Sequence, residues 1–149
     1  MSALERRDER PVVAWAEDDK EYRALVREWL EPRYRLREYD DSEALLADLE
    51  RAAPDAVMAD VDLPGMDGFT LCEAIRARGY STPLLLLTSS ADQEDQLRQV
   101  EVDAAAYLTK PVGRRQLLAR LAEIIDGERV ISGPPSGRHG GYAAWAEAS

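Results

Sequence analysis

A chain of 149 residues, 45% hydrophobic and 32% charged, suits one soluble domain with a single sizeable core rather than a disordered or membrane-embedded chain. Its net charge of −10 speaks against a nucleic-acid-binding surface, because phosphate contact is mainly a matter of Lys and Arg. No apolar run is long enough to span a bilayer, and the opening MSALERRDER lacks the apolar core of a signal peptide, so a cytoplasmic protein without a membrane partner is expected.

Residues 1–9 read as a disordered N-terminal arm. "PVVAWA" (11–16) follows as a buried strand, β1, in which Trp15 is read as core packing. Helix α1 repeats apolar residues at three and four, Tyr22, Leu25, Val26, Trp29 and Leu30, until Pro32 ends it. "YRLREY" (34–39) alternates and predicts an edge strand, β2. "DDSEALLADLERAA" (40–53) predicts helix α2 with Asp41 or Ser42 as its N-cap. "DAVMAD" (55–60) is β3. "GFTLCEAIRARG" (68–79) is α3, with Asp67 as its cap and Gly79 as its stop.

"TPLLLLT" (82–88) is the most apolar stretch and predicts a central strand, β4. The acidic "ADQEDQLRQVEV" (91–102) predicts α4, "AAAYLT" (104–109) β5, and "GRRQLLARLAEIID" (113–126) α5. Five strand–helix units within residues 10–127 point to an α/β fold, a doubly wound five-stranded parallel sheet. Residues 128–149, containing "SGPPSGRHGG", read as a flexible tail without its own fold. The single cysteine, Cys72, cannot form an internal disulfide and sits at helical spacing from Phe69 and Ile75, as a buried small hydrophobe would. The single histidine, His139, falls in the tail with no second histidine to share a metal.

The polar residues of the predicted strands gather at their carboxyl ends. β1 runs into Glu17-Asp18-Asp19, β3 into Asp60, β4 into Thr88, and β5 into Lys110, one of only two lysines in the chain. In open parallel sheets the ligand crevice lies beyond those ends, at the point where strand order reverses. Clustered carboxylates resist ionising together unless a cation joins them. Oxygen ligands without nearby His or Cys favour a hard divalent ion, and Mg2+ suits a site that keeps waters for a phosphate to replace. One carboxylate then serves as a nucleophile toward a phosphoryl group, with lysine as a point charge and threonine as a hydrogen-bond donor to phosphate.

The motifs "AEDDKEYR", "MADVDLPGMDGF", "LLLTSS" and "YLTKPV", in this order at four strand ends, resemble those of the response-regulator receiver domains of two-component signalling. The resemblance covers residues 10–127 and implies the flavodoxin-like strand order 2-1-3-4-5. It implies Asp60 as phospho-acceptor, with Mg2+ held by Glu17, Asp18, Asp60 and the backbone carbonyl of Asp62. Thr88 and Lys110 would assist the transfer, and Thr88 and Tyr107 would form the switch pair. Asp62 and Ser90 would tune the phosphate lifetime, and slow autodephosphorylation is expected. The partner would be a histidine kinase or histidine phosphotransfer protein, and the responsive surface the α4-β5-α5 face, which also serves as an expected homodimer contact. Many relatives carry acids there, where this chain has Ala105 and Ala106, and a glycine in place of Asp103. The bond before Pro111 is usually cis in the family.

Three acids compete for the metal at the end of β1. Counting from the strand and from Arg23 favours Glu17 and Asp18, which leaves Asp19 to cap α1. Pro64, Gly65 and Gly68 read as shapers of the turn beside the acceptor. Tyr107 could also be a plain aromatic strand residue. Two other readings share the features: a phosphatase of the haloacid-dehalogenase type, since Asp60 and Asp62 have its Asp-x-Asp spacing, and a degenerate receiver used only as a binding platform. The phosphatase motif normally lies on the first strand, not before a proline on the third. All five key receiver positions are occupied, which argues against the platform.

Overall fold

The computed structural model of the chain describes residues 8–89 and 101–130. The expectations for residues 1–7, Ser90, α4 through residue 100 and the tail from 131, His139 included, lie outside the described residues. The elements are β1 (Val12–Ala16), α1 (Lys20–Leu30), β2 (Arg35–Tyr39), α2 (Ser42–Leu49), β3 (Ala56–Asp60), α3 (Gly68–Ala77), β4 (Leu84–Thr88), β5 (Ala106–Thr109) and α5 (Arg114–Val130). The strands form one parallel sheet in the order β2-β1-β3-β4-β5. The edge position expected for β2 and the central position expected for β4 are both observed.

Strand alternation divides the core between the two faces of the sheet. Val13, Trp15, Met58, Leu85, Leu87 and Leu108 pack with Val26 and Leu30 of α1 and Leu117 and Leu121 of α5. Ala14, Ala16, Val57, Ala59, Leu84, Leu86 and Tyr107 pack with residues of α2 and α3. Both faces of β4 are therefore covered, and each of its leucines contributes about 1.5–3 kcal/mol relative to exposure. Trp15 and Cys72 are wholly enclosed, and burial pushes the Cys72 thiol up to about 11.

Helix starts follow the sequence. Asp19 accepts from the amides of Glu21 and Tyr22, Asp67 from that of Thr70, and Asp41, rather than Ser42, caps α2 through the amide of Ala44. Gly79 ends α3 with φ +90°, and Asp103 takes the left-handed conformation at φ 61°. The Lys110–Pro111 bond is cis. The structure differs from the sequence reading in the extent of α5, expected over residues 113–126. Helix α5 continues to Val130, since one glycine lowers helix propensity by only about 1 kcal/mol. Away from the strand ends, the Arg76 guanidinium donates to the carbonyls of Tyr80, Thr82 and Asp103, tying the connection before β4 to the turn before β5. Among the described residues, no helix is long and apolar enough to cross a membrane.

Candidate functional site

Four strand ends converge as the sequence predicts. The parallel register carries β1 into the acid cluster and leaves Asp60 beside Leu87 of β4, with Lys110 following Thr109, which pairs with Thr88. The amide of Lys110 donates to the carbonyl of Thr88 at 2.6 Å, so the segment after β5 stays bound to β4 as it enters the site. The Lys110 ammonium bridges two carboxylates, Asp60 Oδ2 at 2.7 Å and Glu17 Oε1 at 3.1 Å. Ligand atoms of Glu17, Asp18 and Asp60 lie within 4.8 Å of one another. An all-carboxylate set this compact, two of its members already sharing one cation, fits a hard divalent ion.

Each acid reaches this point differently. Glu17 is only 1% exposed, its Oε2 accepting from the amide of Asp19 at 3.1 Å and its backbone carbonyl from Arg23 at 3.0 Å. Asp18 is exposed. Asp60 is buried, and its Oδ1 accepts from the amide of Asp62 at 2.8 Å. Asp19, the third candidate of the cluster, is the α1 cap. Asp62 turns its carboxylate to the loop after β4, where Oδ2 accepts from the amide and hydroxyl of Ser89 at 3.2 and 2.9 Å. Thr88 is fully buried, and Tyr107 is buried and stacked on Phe69 with ring centroids 6.2 Å apart.

Burial raises the Glu17 carboxyl above its ordinary value, and the Asp19 amide and Lys110 offset this only in part. For Lys110, burial pulls downward, but the hydrogen bonds and charges of Asp60 and then Glu17 outweigh it and hold the ammonium above its usual value. A raised carboxyl takes up its proton more readily in the folded chain than in the unfolded one. Its contribution to stability is therefore greatest at low pH and is lost as pH climbs from the ordinary 4.5 through the raised value. Glu17→Gln, which never charges and leaves Lys110 bound to Asp60, is expected to stabilise the fold at neutral pH by on the order of 1 kcal/mol. That gain should fade toward acid, as read by urea unfolding across pH. A variant equally or less stable than wild type at neutral pH would contradict it.

The turn after Asp60 is close to the limit of packing. A Cβ on Gly68 would lie 2.9 Å from the carbonyl oxygen of Asp60 and 3.0 Å from Val61 Cα, both backbone atoms that cannot swing aside. Gly68→Ala is thus expected to cost about 2 kcal/mol in urea unfolding. A loss below the error of that measurement would show that the turn relaxes freely.

Two site residues escaped the sequence reading. Tyr22 was counted only as an apolar position of α1, yet the Lys110 ammonium sits 4.5 Å from its ring centroid. Its signal was a place in the first turn of a helix that starts at the acid cluster. Ser89, the partner of Asp62, had no signal beyond following Thr88.

The response regulator receiver domain family model matches residues 13–122. The chain belongs to that family. Among curated relatives, the sensory transduction protein RegX3 of Mycobacterium tuberculosis (strain H37Rv) is 38% identical over 85 residues, 57% of this chain and 37% of that protein. The transcriptional regulatory protein RprY of Bacteroides fragilis is 33% identical over 119 residues, 79% of this chain and 50% of that protein. The chain thus spans half or less of the length of these relatives. Solved receivers share its fold. Chemotaxis protein CheY4 of Vibrio cholerae superposes with a TM-score of 0.73 at 28% identity, covering 77% of this chain and 98% of that one. The BeF3-activated N-terminal receiver domain of Klebsiella pneumoniae RstA does so at 0.71 and 30%, covering 76% and 97%. The domain is therefore a response regulator receiver of two-component signalling.

Proposed function

We propose that Asp60 accepts a phosphoryl group from the phosphohistidine of a histidine kinase or histidine phosphotransfer protein, in the presence of Mg2+ and in the cytoplasm. The observation that carries this reading is the Lys110 ammonium bridging Asp60 and Glu17 inside the acid cluster. An Asp60 carboxylate oxygen attacks phosphorus; the new O–P bond forms as the P–N bond to the partner's imidazole breaks. The imidazole nitrogen keeps that electron pair and takes up a proton. Glu17, Asp18, Asp60 and the Asp62 carbonyl would hold Mg2+, which when bound neutralises charge on the acids and on the phosphoryl oxygens.

The chain's own residues do the rest. Lys110 already touches the acceptor oxygen, so it meets the added charge without searching for it. Thr88, at the end of β4, donates its hydroxyl to a phosphoryl oxygen, and Tyr107 responds by repacking, which alters the α4-β5-α5 face. That face would meet the downstream partner or a second copy of the chain. Autodephosphorylation is slow in this reading. Asp62 acts on it through Ser89, whose amide and hydroxyl it holds, and Ser90 is the second tuning position.

Wild-type protein incubated with Mg2+ and a small acyl phosphate should gain the mass of one phosphoryl group, mapped to the peptide containing Asp60. No adduct would sink the reading and leave the binding-platform alternative. Steady turnover of a generic phosphoester would favour the phosphatase instead.

A further inference from the structure

We propose that Tyr22 is a positioning residue, its ring holding the Lys110 ammonium over the acceptor site. The kinetic consequence rests on the phosphoryl-transfer reading above; the contact itself does not. The ammonium is hydrogen-bonded to Asp60 at 2.7 Å and to Glu17 at 3.1 Å, and the Tyr22 ring covers it on another side at 4.5 Å. A cation at that distance is attracted by the negative face of the ring, and more strongly where water is excluded.

The ring is itself held. The Asp19 cap accepts from the Tyr22 amide at 3.1 Å, fixing the first turn of α1. Behind Tyr22, the wholly buried Trp15 meets it edge-on, with centroids 6.3 Å apart and planes at 70°. Core, ring and ammonium form one stack that reaches from β1 to the site. Among the described residues the enclosed Tyr22 hydroxyl has no hydrogen-bond partner, so the ring rather than the hydroxyl carries the role.

The need for such a contact lies in the lysine. Its flexible stem ends in a point charge, and phosphoryl transfer requires that charge to exchange a carboxylate for a phosphoryl oxygen. Both carboxylate contacts are open to change during that exchange, whereas the ring contact persists and keeps the ammonium from leaving. Tyr22 acts on Lys110 and has no part in bond making.

The chain has only two lysines, Lys20 and Lys110, so selective lysine labelling gives two sets of side-chain NMR signals, assigned with Lys110→Arg. In wild type and Tyr22→Phe, the Lys110 ε-protons should be shifted upfield by the ring; in Tyr22→Leu and Tyr22→Met that shift should vanish. Phosphorylation by a small acyl phosphate should match wild type in Tyr22→Phe and be slower by roughly three- to thirtyfold in the Leu and Met variants, with Mg2+ affinity unchanged. Unshifted Lys110 signals in wild type would overturn the inference, as would Phe and Leu variants that behave alike. Should wild type take up no phosphoryl group, the functional reading fails, and the resonance positions still decide the contact.

Discussion

Asp60→Asn is expected to abolish the acyl phosphate outright, with no residual adduct in mass spectra after incubation with Mg2+ and a small acyl phosphate. An amide is not a nucleophile toward phosphorus at neutral pH, so the question is whether a neighbouring acid takes over. Glu17 is enclosed, with one oxygen on Lys110 and the other on the Asp19 amide. The Asp62 carboxylate is turned away onto Ser89, and Asp67 is occupied as the α3 cap. Asp18 is exposed, but it lacks the ammonium contact that Asp60 has at 2.7 Å. Of these acids, Asp60 has the closer contact to the Lys110 ammonium and, at 10% side-chain exposure against 1% for Glu17, the less enclosed carboxylate, so the expected difference from wild type is complete. An adduct of wild-type extent in Asp60→Asn would move the nucleophile to Asp18 or Asp62.

The path from sequence to this site was legible where a side chain's position follows from its own strand. Glu17, Asp60, Thr88 and Lys110 each lie at or just beyond a strand end, and in a parallel sheet all such ends face one crevice. The caps were legible for a similar reason, because Asp19 and Asp67 bond amides two or three residues ahead. What could not be read was any contact set by the packing of one element on another. Tyr22 meets Lys110 only because α1 docks against the face of the sheet that carries β5's continuation. The Asp62 carboxylate likewise accepts from Ser89, on a loop 27 residues away in sequence, a contact that no local spacing announces. The overrun of α5 past Gly127 is of another kind. Propensity marks a weak point in a helix and does not by itself end one.

Lys110→Met carries the second large effect, and it separates three roles that the wild-type chain combines. Methionine keeps a stem of similar reach while removing the charge. The phosphorylation rate is expected to fall by roughly a hundredfold or more, the usual scale for losing one preorganised donor to a developing charge. Mg2+ affinity should move the other way, because Glu17, Asp18 and Asp60 then have no internal cation to compete with the metal. Stability without metal should drop by about 3 kcal/mol, since Glu17 is left buried opposite Asp60 with its ion-pair partner gone. Adding Mg2+ should restore most of that loss, giving a larger rise in Tm for the variant than for wild type. Calorimetric titration and thermal unfolding with and without Mg2+ read these effects separately. A variant that phosphorylates at the wild-type rate would remove Lys110 from the transfer step. One with weakened Mg2+ binding would mean that lysine organises the acids instead of competing for them. The same charge that makes the metal-free fold tolerable is the charge that must let go of Glu17 when a metal and a phosphoryl group arrive, and it is this exchange that Tyr22 is placed to guide.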